Sequence, residues 1–246
     1  MPDLTIVTPT ADQPTGMALC ERFVARQTVK DVSIQWIVVD DGQTPAVLTQ
    51  RQEHVLRPRE VGCTGAQSLC RNLLAALPLV QAPIVVFWEH DDWYRADYLE
   101  TRLDQLNRPG VKVAGDDEQR YYHVGRRAWR IFQNRGASLC QTAMVSEMIP
   151  AFTMIVEGRL RENSYGVDGH FWATLDPAIC SLQKSKTVVG IKGLPGRHGL
   201  GVGHRNWGGY TADPDLTTLR AWIGDDVDLY RSFGEQGATM AATRKQ

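Results

Sequence analysis

Three carboxylates crowd one short turn, Glu89-His90-Asp91-Asp92, directly after the apolar run Ile84 to Trp88. Carboxylates this close repel one another unless a cation neutralises them, and oxygen ligands favour Mg2+ or Mn2+ over a soft metal. The plain alternative is a solvated turn in which Asp92 caps a helix beginning near Tyr94. A cap, however, needs only one carboxylate.

A second acidic pair, Asp40-Asp41-Gly42, closes the apolar run Ile34 to Val39. A carboxylate at the end of a strand can accept hydrogen bonds from a base or a ribose, although Asp-Asp-Gly is also an ordinary turn. Farther on, Arg120, Arg126, Arg127, Arg130 and Arg135 interleave with Tyr121, Tyr122 and Trp129. Arginines contact phosphates and aromatic rings stack on exposed bases, so the mixture suits a nucleic acid. A hairpin with one basic face and one buried aromatic face would read the same way.

These residues need elements to hold them. Leu4 to Thr8, Ile34 to Val39 and Pro83 to Trp88 read as buried parallel strands, each ending in polar residues. Helical patterns lie between them, the clearest with Ala66, Leu69, Cys70, Leu73, Leu74 and Leu77 on one face. Alternating strands and helices predict an α/β sheet with right-handed crossovers and a ligand site at the carboxyl ends of the strands. Leu99, Leu103 and Leu106 mark a further helix that stops at Asn107-Arg108-Pro109-Gly110, and a strand is expected over Val111 to Ala114. Strands or a hairpin are expected between Glu118 and Arg135.

Glycines at 190, 193, 196, 199, 201, 203, 208 and 209 make 190–209 an expected irregular, mobile loop and a candidate lid. Asp213-Pro214 should open a final helix, with Asp213 as N-cap and Leu219, Trp222, Ile223, Val227 and Tyr230 on one apolar stripe. Residues 234–246 read as a flexible tail.

The order Ile6-Val7-Thr8-Pro9-Thr10, Trp36-Ile37-Val38-Val39-Asp40-Asp41-Gly42, Gly62 through Arg71-Asn72, then Phe87-Trp88-Glu89-His90-Asp91-Asp92-Trp93-Tyr94 resembles the nucleotide-sugar half of family 2 glycosyltransferases. The resemblance implies a GT-A fold: a Rossmann-like, mixed but mostly parallel sheet flanked by helices in one domain. Residues 1–107 would bind the donor and 108–233 the acceptor. It further implies that Thr8, Pro9, Thr10, Asp40 and Asp41 contact the nucleoside, that Arg71 lies near the donor, and that Glu89 and Asp91 hold a divalent metal. Asp92 would serve the adjacent sugar. Glu89 departs from the aspartate usual at its position, which makes Asp91 the stronger ligand. Some relatives of this fold add a late histidine to the metal, a role open here to His198 or His204.

Gly166-Val167-Asp168-Gly169-His170-Phe171-Trp172 resembles the family's acidic motif on an acceptor-side helix, which makes Asp168 the expected general base. Val167 replaces the glutamate common there, and Asp168 as a plain N-cap before buried Phe171 and Trp172 fits as well. Tyr121-Tyr122-His123-Val124 and Ala137 to Thr142 also resemble small bacteriophage glycosyltransferases linked to hydroxymethylated pyrimidines in DNA. The expected reaction is therefore an inverting transfer from a nucleoside diphosphate sugar, UDP-linked by preference, to a hydroxymethylpyrimidine. Arg126, Arg127 and Arg130 would meet the DNA.

Composition sets the outer limits. With 246 residues, 27 Lys+Arg against 28 Asp+Glu, and a formal net charge of −1, the chain is no wholly basic DNA coat, so contact with DNA requires a local patch. Its 5 cysteines contain no Cys-x-x-Cys pair, which fits a reducing cytoplasm, the host's if a phage encodes the chain. No apolar stretch is long and uninterrupted enough for a membrane span. A nucleotidyltransferase would want a glycine-rich basic loop after the first strand, where Thr8 to Asp12 supply none. A glycosyltransferase acting on a glycan or other small acceptor, and a non-catalytic module that binds sugar or nucleic acid, remain the alternatives.

Overall fold

The computed structural model of the protein describes residues 1–50, 53–133, 136–184, 186–196 and 208–233. Strand β1 (Leu4–Thr10) is buried along its whole length and pairs in parallel with β2 (Ile34–Asp40) and β4 (Ile84–Phe87). Beyond β2 lies β3 (Glu53–Leu56), also parallel. On the other side β9 (Ala143–Val145) runs antiparallel between β4 and β6 (Val113–Asp116), and β10 (Cys180–Gln183) is the far edge. The 7-stranded order is β10-β6-β9-β4-β1-β2-β3.

Alternate residues of the central strands feed two cores, one on each face. Leu4, Ile6, Trp36, Val38, Val86 and Trp88 pack on one side, while Val7, Ile37, Val39, Val85 and Phe87 pack on the other. The period of two is that of a pleated strand, and burial on both faces is why these runs are continuously apolar. The first face is covered by α1 (Pro14–Ala25) and α3 (Tyr98–Leu106), through residues such as Cys20, Phe23 and Leu99. The second is covered by α2 (Gly65–Ala76), α4 (Ile149–Arg161) and α5 (Val167–Thr174), through Leu73, Phe152 and Phe171. Truncating one such aromatic, Phe87→Ala, would cost about 3 to 5 kcal/mol. Helix α2 starts at a capping box in which the Thr64 hydroxyl accepts from Gln67 N–H and the Gln67 side chain accepts from Thr64 N–H.

A second, 5-stranded sheet, β12-β8-β7-β11-β5, was not foreseen. It contains β5 (Trp93–Tyr94), the hairpin β7 (Glu118–His123) and β8 (Ala128–Gln133), β11 (Val188–Lys192) and β12 (Thr211–Ala212). The arginine and aromatic stretch is thus a hairpin. A buried pair, Arg102 to Asp116 at 2.8 Å, reaches on to the Thr187 hydroxyl at 3.1 Å and ties α3 to the segment entering β11.

Several boundaries differ from expectation. Strand β6 begins at Val113, after the Pro109-Gly110 turn, rather than at 111. Residues 190–192 belong to β11 because Gly190 lets the Tyr121 ring lie against the strand: a Cβ there would stand 2.4 Å from Tyr121 Cδ1. The last helix, α6 (Thr217–Ile223), starts later than Pro214, after Leu216 at φ 63°. Asp213 still caps it at a distance, its carboxylate accepting from Thr218 N–H at 2.9 Å and Leu219 N–H at 3.1 Å. The tail 234–246 and loop positions 197–207 lie outside the described residues.

Candidate active site

The carboxyl ends of β1, β2 and β4 converge, and the acidic turn leaves β4 there. His90 pins the turn to β1 and the start of α1, with Nδ1 at 3.1 Å from Pro9 O and Nε2 at 2.5 Å from Gln13 Oε1. Glu89 N–H donates to the Tyr94 hydroxyl at 2.8 Å, and Trp88 stacks on Tyr94 with ring centroids 3.8 Å apart. Gly16 of α1 lies directly beneath, where a Cβ would stand 3.1 Å from His90 Cδ2.

The turn is an uneven trio. Glu89 is half-buried, Asp91 is 9% and Asp92 1% exposed. Asp92 caps no helix, since Trp93 and Tyr94 form β5; instead its Oδ1 accepts from Ile191 N–H at 2.9 Å and Lys192 Nζ at 3.0 Å. Its Oδ2 is buried without a hydrogen-bond partner. Burial pushes the Glu89 carboxyl well above the usual range, with Asp92, Asp91 and Asp168 adding repulsion. Burial also raises Asp92, against the opposing pull of Lys192.

Ligand atoms of Glu89, Asp92 and Cys140 lie within 4.8 Å of one another. Burial, then Asp92 and Glu89, hold the Cys140 thiol well above its ordinary range, and the thiolate is the ligating form. The usable donors are therefore carboxylate oxygens, a set that fits a hard divalent cation, and Asp92 Oδ2 is buried there without a hydrogen-bond partner.

Asp168 stands in the first turn of α5, whose N-cap is Gly166 at φ 81°, so it is not the cap itself. Its Oδ2 accepts from Leu139 N–H at 3.2 Å. Burial raises its pKa above the usual carboxylate value, partly offset by backbone hydrogen bonds from Gly169 and Leu139. Its repulsion of Glu89 places the two carboxylates in one electrostatic neighbourhood. His170 donates to Gly166 O at 2.9 Å through Nδ1 and accepts from Arg159 through Nε2, which anchors this helix start on α4.

The other residues expected on the donor side lie at the carboxyl ends of β1 and β2 or on α2, and several are engaged within the protein. The Thr8 hydroxyl accepts from Trp36 Nε1 at 3.0 Å, and Thr10 is buried. Asp40 accepts from Gly42 N–H at 2.8 Å and Ala46 N–H at 2.7 Å, shaping the loop after β2. Asp41 is wholly buried and accepts from Ser68 Oγ at 2.6 Å, Asn72 Nδ2 at 3.1 Å and Arg59. Arg71 pairs with Glu60.

On the hairpin, Arg127 donates to Pro214 O at 3.0 Å, and Arg130 donates to Gly208 O and lies 3.7 Å over the Phe132 ring. Arg126 is exposed in the connecting turn. His198 and His204 lie outside the described residues. Lys192 and Arg59 escaped the sequence reading, since each reaches the site from a distant element and neither carries a local motif, and Cys140, inside the Ala137 to Thr142 stretch, was given no role in the site.

No curated protein sequence matches the chain. Among solved structures, the mannosyltransferase PcManGT from Pyrobaculum calidifontis, in complex with GDP-Man and Mn2+, is similar with a TM-score of 0.51 at 14% identity, over 77% of this chain and 58% of that one. S. aureus TarS 1-349 in complex with UDP-GlcNAc is similar with a TM-score of 0.53 at 12% identity, over 80% of this chain and 60% of that one. The chain thus spans about 60% of the length of these two structures, and the likeness is one of fold. Residues 5–174 match the family described as Glycosyl transferase family 2. With nearly all of β1, the acidic turn and Asp168 inside that match, the chain belongs to glycosyl transferase family 2 and has a GT-A fold.

Proposed function

We propose that the protein transfers a sugar, with inversion, from a nucleoside diphosphate sugar to an acceptor hydroxyl. The observation that carries this is the placement of Asp168, held by Leu139 N–H in the segment that packs against β4, beside the strand from which the acidic turn departs. Asp168 accepts the hydroxyl proton as the acceptor oxygen bonds to the anomeric carbon, and the bond from that carbon to the diphosphate breaks on the opposite face. A carboxyl whose pKa is raised by burial is a better base than an ordinary aspartate. The nucleoside would be received at the carboxyl ends of β1 and β2, beside Thr8, Pro9, Thr10, Asp40 and Asp41, UDP being the donor favoured. Arg71 and Asp92 lie on the donor side. Glu89 and Asp91 would hold a divalent cation, Mn2+ or Mg2+, which when bound offsets the negative charge of the diphosphate. One of His198 and His204 is a candidate further ligand.

For the acceptor we propose a 5-hydroxymethylpyrimidine in DNA, met by the exposed turn of the β7–β8 hairpin around Arg126. The base would have to leave the stack to reach Asp168. A specific observation favours a second reading, a glycan or other small acceptor: Arg127 and Arg130 are spent on Pro214, Gly208 and Phe132. The test is transfer of labelled sugar from UDP-glucose, UDP-GlcNAc and GDP-mannose, with Mn2+, to duplex DNA with and without hydroxymethylcytosine. Product only on hydroxymethylated duplex supports the first reading. Donor hydrolysis without DNA labelling supports the second, and no turnover of any donor rejects the catalytic reading.

A further inference from the structure

Lys192 is a lysine buried to 6% exposure at the end of β11. Its surroundings form a cradle for an ammonium. Asp92 Oδ1 lies 3.0 Å from Nζ, and the face of Tyr121 lies below at 5.2 Å from the ring centroid. Gly190 leaves the room: a Cβ there would meet Tyr121 Cδ1 at 2.4 Å and Lys192 Cε at 3.4 Å. The neighbouring Ile191 N–H grips the same carboxylate oxygen at 2.9 Å.

Neither the hairpin nor the acidic turn explains such an investment in a cation that solvent does not reach. An isolated buried ammonium is costly, and three carboxylates in one turn are costly too. Each is tolerable in the presence of the other. We infer that Lys192 is the built-in counter-cation of the acidic turn, a positioning residue that lets Glu89, Asp91 and Asp92 stand together and sets how strongly the turn attracts a divalent cation. The ammonium stands beside the three carboxyls, so an incoming cation meets a weaker negative field than the carboxyls alone would give. The inference rests on the proposed metal role of the turn, but its pairing arm does not.

Two measurements test it. The first is a double-mutant cycle on the thermal midpoint without metal, using Lys192→Met, Asp92→Asn and both together. The double variant is expected to lose less than the sum of the single losses, because it removes both charges at once. Additive losses would overturn the inference. The double variant also keeps the cycle informative where Lys192→Met alone folds poorly, since Lys192→Arg then serves as the charge-retaining comparison. The second is calorimetric titration of Mn2+ alone into the nucleotide-free protein. Lys192→Met should bind Mn2+ at least about tenfold more tightly than wild type, while Lys192→Arg should stay close to wild type. Equal affinity in a folded Lys192→Met variant would overturn the affinity-setting role. Coupling in the cycle with no Mn2+ uptake by any variant would remove the metal from the proposed function and leave Lys192 as the counter-cation.

Discussion

Arg59 donates to both oxygens of the wholly buried Asp41, from Nε to Oδ2 at 3.1 Å and from NH2 to Oδ1 at 3.2 Å. The same guanidinium reaches Asp12 at 3.5 Å, so one side chain braces the ends of β1 and β2 against the segment leading into α2. Burial of Asp41 is outweighed by hydrogen bonds from Arg59, Ser68 and Asn72, and its pKa falls below the ordinary 3.8. Arg59→Met should destabilise the protein by about 2 to 3 kcal/mol at neutral pH, the worth of charge-assisted hydrogen bonds to a buried group. A depressed folded pKa contributes stability that is present above the unfolded value and lost as pH falls through the folded one. The gap between wild type and variant in denaturant melts should therefore close below pH 3.8. A gap independent of pH would point to packing rather than charge.

Asp168→Asn keeps the shape of the side chain and its bond from Leu139 but cannot take a proton. Transfer should fall by about 10² to 10⁴ with donor affinity nearly intact. Because burial raises the Asp168 pKa above 3.8, wild-type kcat/KM should decline on the acid side above that value, and the variant's residual rate should lack this limb. Initial rates across pH check both. Loss of donor binding in the variant would move Asp168 to the donor side.

Asp91→Ala should abolish the Mn2+-dependent part of UDP binding, since a diphosphate beside the acidic turn is otherwise repelled. Calorimetry with and without Mn2+ reads this directly. Unchanged affinity would reassign the ligand to Glu89 and Asp92.

Gly16→Ala adds a Cβ 2.9 Å from Gln13 Oε1 and 3.1 Å from His90 Cδ2, so Gln13 must release His90. One lost hydrogen bond is worth about 0.5 to 1.5 kcal/mol, or roughly twofold to twelvefold in affinity. Gly16→Ala and Gln13→Ala should weaken Mn2+-dependent UDP binding by similar factors of that size. Thermal stability of Gly16→Ala should hardly fall, because alanine favours the helix. A variant that binds like wild type would show that the turn does not depend on its histidine.

Arg126→Ala should lower the salt slope of log affinity for duplex DNA by about 0.9, the value of one phosphate contact. Arg127 and Arg130 are poor targets for this test, because removing them also removes contacts to Pro214 and Gly208. A flat slope in the wild type would favour the small-acceptor reading.

The first sheet was legible where its strands are buried on both faces, because β1, β2 and β4 then read as continuous apolar runs that end at polar residues. Helix α2 was legible for the complementary reason, its buried Ala66, Cys70 and Leu73 recurring on one face. The second sheet was not, since β5 and β12 are two-residue strands and β11 holds a glycine that signals a loop when read locally. The acidic turn was visible as a cluster of like charges, but its partner Lys192 was not. That pairing spans 100 positions of sequence and depends on Tyr121 crossing over Gly190. Asp213 shows an intermediate case: the residue type announced a cap, while the left-handed Leu216 delayed the helix it caps.

The acidic turn is also a splice in the chain. Strand β4 belongs to the first sheet and β5 to the second, and Glu89 to Asp92 make up most of the connection between them. The same turn is bolted to the first sheet by His90 on Pro9 and to the second by Asp92 on Ile191 and Lys192. The two sheets thus act as jaws of a caliper whose reading is the spacing between the carboxylates. His90 is held by the central sheet and Asp92 by the hairpin sheet, so a displacement of one sheet against the other would have to pass through the three residues His90 to Asp92.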